Sequence, residues 1–229
     1  MTLGIIAAME QEINRLVNEL SDVKTYEKAN QTFYEGRLYN QKVILVKSGI
    51  GKVNASIAAT LLINQFNVSA VINTGSAGGV QSGLAIGDLV LSTELSYNDV
   101  DARTFGYTFG QVPQMPVSYQ ADEVLAEQFA QAAKKNEWSI QRGLIVTGDS
   151  FISNQDQLNR IKEEFPRALV TEMEGAAIAQ TCYQFDVPFL VIRAVSDSAD
   201  EEAGMSFDEF IELAGKQSAE TVLTFVQSL

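Results

Sequence analysis

The residues of this chain best suited to chemistry are carboxylates, and they stand where apolar runs end. In LVTEMEGAAIAQ, Leu169 to Gln180, Glu172 and Glu174 flank Met173 and lead directly into a stretch of small residues. On a strand the two carboxylates would share one face, whereas on a helix they would point well apart. In RAVSDSAD, Arg193 and then Asp197 follow the apolar run VPFLVI. A lone Asp after a strand is most often a helix cap. A buried Arg193 needs a carboxylate partner, and Glu12, Glu172 and Glu174 are the candidates. In AMEQE, Glu10 and Glu12 suit the acidic first turn of a helix; they point in different directions there, so at most one reaches a shared cleft. NTGSAGG, residues 73–79, reads as a strand followed by a Gly/Ser turn in which backbone N–H groups can approach a ligand and Ser76 can face it. It is neither a Walker motif nor G-x-G-x-x-G, and a tight structural turn is the alternative.

The chain has no histidine. That removes Ser-His-Asp triads, Cys-His dyads, most zinc sites and the usual neutral-pH proton carrier. Any acid and base must come from carboxylates, Tyr, Lys or Cys.

The elements that must position these groups alternate along the chain. LGIIAAM reads as a strand, and EQEINRLVNEL as a helix with Ile13, Leu16, Val17 and Leu20 at helical spacing. TFYEGRLYNQKVILVKSGI reads as two antiparallel strands turning at Asn40 and Gln41. Gly49 and Gly51 open a helix through KVNASIAATLLINQF, and SAVINTGSAGG and GDLVLSTELSY are strands. The stretch from Asp101 to Ser118 is a long loop whose Phe105, Tyr107, Phe109 and Pro113 suggest a lid or a subunit contact, with folding back onto its own core as the alternative. The remainder reads as helix 121–136, strand 140–147, helix 155–165, strand 168–173, helix 174–184, strand 188–195 and a helix from Ser206 onward. The fold class expected is α/β: a single domain over residues 1–229, with a mixed, largely parallel central sheet flanked by helices. Such sheets carry their sites at the carboxyl ends of the strands.

Sixteen basic residues against 29 acidic give a net charge of −13, with no basic run suited to a phosphate backbone, so nucleic acid and membranes are not expected partners. The apolar start is too short to span a bilayer and lacks a basic leader, and a single cysteine, Cys182, excludes an internal disulfide; a cytoplasmic protein is expected.

GIIAAMEQE, KSGIGKVNA, INTGSAGG, DVDARTFGYTFGQVPQMP, GLIVTGDSFI, TEMEGAAIAQ and VIRAVSDSAD with SFDEF occur in order along the chain. This set resembles the bacterial 5'-methylthioadenosine/S-adenosylhomocysteine nucleosidases, a branch of the nucleoside phosphorylase family, over essentially the whole length. The resemblance implies hydrolysis of the N-glycosidic bond of both nucleosides, with 5'-deoxyadenosine as a further candidate, in methionine salvage and methyl-cycle recycling. It also implies a homodimer with no cofactor and no metal. It makes Glu12 the base that positions water, Asp197 the acid for adenine N7 and Glu174 the ribose-binding carboxylate. Met173 would pack under the ribose, and Phe151 and Ile152 would hold adenine. Ser76, Arg193 and Ser196 would support the site, while Ala8, Met9, Ile50 and Phe207 would line it. Phe105, Tyr107 and Pro113 would reach the neighbouring subunit's site from loop 103–117. Glu172 receives no role. A free aspartate, with a pKa of about 3.9, is protonated about once in a thousand at pH 7, so the acid role requires burial or nearby negative charge. Two alternatives remain. A phosphorylase on the same fold would use phosphate, but related phosphorylases carry an arginine just before the Gly/Ser segment, where this chain has Asn73 and Thr74. A silent nucleoside-binding protein would tend to lose an acid or base and to carry an export signal.

Overall fold

The computed structural model describes residues 1–136, 138–197 and 203–229, with the side chains of 203–210 outside the description. Strand β1 (Thr2–Ala7) leads through α1 (Glu10–Asn18) into three antiparallel strands, β2 (Ser21–Lys28), β3 (Gln31–Leu38) and β4 (Gln41–Lys47). Then follow α2 (Lys52–Phe66), β5 (Ala70–Gly79), β6 (Leu89–Tyr97), the two-residue β7 (Tyr119–Gln120), α3 (Glu123–Lys135) and β8 (Ile140–Thr147). The chain continues with α4 (Gln155–Glu164), β9 (Ala168–Glu172), α5 (Gly175–Phe185), β10 (Phe189–Asp197) and α6 (Ala203–Ser228).

β5 is the hub of the sheet. Its first half pairs in parallel with β1, Leu3 to Ile6 against Ala70 to Asn73, and β10 runs parallel along its other edge. At Gly78 and Gly79, β9 takes the edge that β1 has left. β10 also pairs with β6, β6 with β8 and β8 with β9. These five strands therefore close into a ring, from which β1, β4, β3 and β2 extend as an open sheet. The α/β architecture with a mixed sheet is the one expected, but the closure is new, because apolar runs report burial and not which strand lies beside which. β10 is buried at every position. Helix α2 packs against α5, both rich in buried alanines such as Ala55, Ala58, Ala176 and Ala179, and α6 packs against α1, β5 and β10. Among the described residues no helix is long and apolar enough to cross a membrane.

Three features differ from the expectation. β2 has no counterpart in the sequence reading: seven of its eight residues are exposed, so no apolar alternation marks it. It joins β3 through Ala29 and Asn30, both at positive φ (50° and 59°), as a right-twisted two-residue hairpin demands. NTGSAGG is strand to its end rather than strand and turn, since Gly78 and Gly79 pair with β9. Phe109 is not exposed on its loop but folds back against Phe165, ring centroids 5.7 Å apart.

Candidate active site

The gap on one edge of β5 makes the site. β1 leaves after Asn73 and β9 arrives at Gly78, so the backbone between them faces no strand on that side. The ends of β1, β9 and β10 converge there on a cavity of about 310 Å³. Ala8, Met9, Glu12, Ile50, Ser76, Phe151, Met173, Glu174, Ser196 and Asp197 line it, together with Ala77, Gly78, Thr171 and Glu172. Ile152 borders a smaller adjoining recess with Phe151, Met173 and Asp197. Ala77 and Gly78 enter the sequence reading only as part of the Gly/Ser segment 73–79, and Thr171 not at all; its signal is only that it lies on a strand beside the candidates.

Not every candidate residue lies on the cavity. Arg193 is behind the wall, 1% exposed. Phe105, Tyr107 and Pro113 do not line the cavity of this single chain, and Phe105 is 80% exposed. Phe207 falls among the side chains outside the described residues. No group of three or more His, Cys, Asp or Glu among the described residues is arranged to hold a metal.

α1 settles the choice between Glu10 and Glu12. Met9 precedes the helix in an extended conformation, which turns Glu12, in the first turn, back over the helix start. Its Oε2 accepts the N–H groups of Ala8 and Met9, each at 3.0 Å, and its Oε1 accepts that of Ser76 at 3.1 Å. The Ser76 hydroxyl lies 3.4 Å from the same oxygen. Glu12 is thus both the capping glutamate of α1 and a cavity residue. Burial pushes its carboxyl up, and the Arg193 charge and the three N–H groups offset part of that. Glu10 points away, to Lys47 at 3.6 Å.

The Glu-Met-Glu segment is neither strand nor helix throughout. β9 ends at Glu172 and α5 begins at Gly175, so Glu174 precedes the helix and can point into the cavity. Its Oε1 accepts the Gly51 N–H at 2.9 Å, and its Oε2 stands 3.7 Å from Arg193 Nη2. Gly51 adopts φ 97° at the start of α2, a conformation that favours glycine. Burial first, then the Glu172 and Glu12 charges, push Glu174 up to about 8 against the pull of Arg193 and the Gly51 N–H.

Glu172 takes the direct bonds. It pairs with Arg193 Nη2 and Thr147 Oγ1 and accepts the N–H groups of Glu174 at 3.0 Å and Gly175 at 2.8 Å. Arg193 Nη2 also donates to Asn73 Oδ1 at 2.6 Å. Burial pulls the guanidinium down, and Glu172, Glu174 and Glu12 more than compensate, so it stays charged. Asp197 is the last residue of β10, at a bulge opposite Gly78. It is 2% exposed and accepts the Ser196 hydroxyl at 2.8 Å. Asp197 is therefore a buried carboxylate on the cavity wall.

A cavity with apolar walls, four lining carboxylates and, among the described residues, no lysine or arginine can give and take protons and stabilise a developing cation. The phosphorylase superfamily pattern matches residues 2–227. The chain is 48% identical over 227 residues to the 5'-methylthioadenosine/S-adenosylhomocysteine nucleosidase of Staphylococcus aureus (strain JH9), covering 99% of this chain and all of that protein. The nucleosidase of the same name from Neisseria meningitidis, solved with methylthio-immucillin-A, superposes with a TM-score of 0.98 at 47% identity, covering 100% of this chain and 99% of that one. Futalosine hydrolase of Helicobacter pylori superposes at 0.96 with 33% identity, covering 100% and 98%. Fold, site and sequence therefore agree: the chain belongs to the phosphorylase superfamily, in its 5'-methylthioadenosine/S-adenosylhomocysteine nucleosidase branch.

Proposed function

We propose that the protein hydrolyses the N-glycosidic bond of 5'-methylthioadenosine and S-adenosylhomocysteine, releasing adenine and the 5-thio-substituted ribose. One observation carries this: Glu12, Glu174 and Asp197 face one cavity that, among the described residues, no lysine or arginine lines. A phosphate dianion would meet carboxylates there, whereas water would meet a base. The two positions in place of a phosphorylase arginine are already engaged, Asn73 with Arg193 and the Ile6 carbonyl and Thr74 with Ser218.

Asp197 gives its proton to adenine N7 as the C–N bond breaks, and the ribose becomes cationic. Glu174 accepts the ribose hydroxyls; positive charge beside it favours its ionised form, so this contact strengthens as the bond breaks and lowers the barrier. Met173 is the apolar floor of the sugar site, and Phe151 and Ile152 hold the base. Glu12, aligned by its three backbone donors, takes a proton from the water whose oxygen bonds to C1'. Acid and base catalysis each contribute about 10²- to 10⁴-fold. Two copies of the chain pair so that Phe105, Tyr107 and Pro113 complete the neighbouring site. Support for this pairing comes from the exposure of Ile50 (50%), Val53 (70%) and Phe105 (80%), more apolar surface than one subunit has use for. The buried, unpaired Cys182 suits a reducing, cytoplasmic setting, in keeping with a role in methionine salvage.

The test is product analysis with 5'-methylthioadenosine in phosphate-free buffer and again with phosphate. Adenine and free methylthioribose are expected in both. Adenine only with phosphate, accompanied by a sugar 1-phosphate, would overturn the hydrolytic reading, and no adenine in either would leave a binding protein.

A further inference from the structure

Glu172 borders the cavity, yet the reaction gives it nothing to do. Its partners explain why. Arg193, Thr147 and the N–H groups of Glu174 and Gly175 occupy its two oxygens, which fills the capacity of a carboxylate and leaves none for a ligand. Three carboxylates, Glu12, Glu172 and Glu174, surround one buried guanidinium, and only one of them takes the direct pairing. We infer that Glu172 is a positioning residue: by bonding Arg193 and the start of α5 it neutralises the guanidinium, so that Glu12 and Glu174 keep their basicity and face the substrate.

The placement is specific. Among the described residues Glu12 makes no ion pair; its oxygens take the N–H groups of Ala8, Met9 and Ser76. Glu174 reaches Arg193 only at 3.7 Å. Glu172 is better placed for the charge than either, because the N-terminus of α5 favours an anion and supplies two of its donors. Thr147 fastens it from the other side: its Oγ1 donates to Glu172 and accepts the Ala176 N–H at 2.8 Å. An arginine bonded directly to a carboxylate lowers its pKa by about 1–3 units. The same bond made to Glu12 would leave a poor base.

This inference rests on the nucleosidase reading for its purpose but not for its test. Glu172→Gln keeps the shape and an acceptor for α5 while removing the charge. The charged neighbours of Glu12 in the site are Arg193 and Asp197 of β10, Glu172 of β9 and Glu174 before α5. The titration midpoint of Glu12, followed by carbon NMR of its carboxyl, is expected to fall by at least about one unit in Glu172→Gln, and the acidic limb of the kcat profile to move down with it, with kcat at least about tenfold lower. In Glu172→Gln combined with Arg193→Met the Glu12 midpoint should return upward, which loss of scaffolding alone would not produce. If Glu172→Gln does not fold, Thr147→Val removes one tether and is expected to shift the midpoint in the same direction by less. A Glu12 midpoint unchanged in the folded variant overturns the inference, whereas wild-type protein that releases no adenine overturns the activity alone.

Discussion

Gly75, beneath Glu12, has no room for a side chain. A β-carbon there would lie 2.8 Å from Glu12 Oε1 and 3.0 Å from Arg193 Nη1, and neither side chain can withdraw without breaking buried hydrogen bonds. Gly75→Ala is expected to lower kcat by about 10²-fold, the cost of a displaced catalytic group, while the protein still melts cooperatively; kinetics within twofold of wild type would show that Glu12 slides aside without penalty. Glu174 allows a prediction about stability. Its carboxyl is raised to about 8 from an ordinary value of about 4.3, so the folded state holds that proton more tightly than the unfolded one. The ionised group therefore costs nothing below about pH 4 and progressively more as pH rises towards 8. Glu174→Gln should abolish turnover yet gain in melting temperature relative to wild type between pH 5 and pH 8. Equal differences at the two pH values would contradict the raised carboxyl. At this scale the sequence names the chemistry but not the pairing. AMEQE leaves Glu10 and Glu12 open because only the turn of α1 and the Ser76 N–H distinguish them, and Glu172 is legible only as one of three candidate partners for Arg193, because nothing local decides which carboxylate a distant arginine takes.

The elements contribute mainly through their ends. The start of α2 is tied at several points: Gly51 N–H to Glu174, Lys52 N–H to Asp149 at 2.8 Å and Lys52 Nζ to Asp99 at 2.7 Å. The Asp149 N–H returns to Asp99 at 2.9 Å. Lys52 therefore joins the segment that holds Glu174 to the one that carries Phe151 and Ile152. Lys52→Met should reduce kcat/KM by about tenfold through misplacement of these segments but lower stability by only about 1 kcal/mol, since partly exposed ion pairs contribute little. Lys52→Arg should retain most of the activity, and a loss of stability without a loss of kcat/KM would make the cluster a surface brace only. β1, β5 and β10 are legible in the sequence as apolar runs buried on both faces. β2 is not, because an exposed edge strand carries no apolar period, and the extension of β5 through Gly79 is hidden because glycine in a strand looks like glycine in a turn until β9 is seen beside it.

At the scale of the whole molecule, the net charge of −13 disfavours polyanion partners, while the 80% exposed Phe105 marks where a second copy is expected. Phe105→Ala should raise KM for 5'-methylthioadenosine by about tenfold, the order expected for losing part of the burial of an aromatic ring, with the melting curve unchanged; an unaltered KM would remove this loop from the site. The strand ring also bears on how the protein comes into being. β10 is the last of its strands to leave the ribosome, yet it lies between β5 and β6, and it carries Asp197. A nascent chain stopped before Phe189 has two apolar strand edges waiting for a partner, and such edges attract other chains. Pairing of this sequence separation makes folding slow. We expect the polypeptide to depend on protection during synthesis and an unfinished copy never to cleave a nucleoside, because Asp197, the proton donor we propose, arrives with the strand that closes the ring.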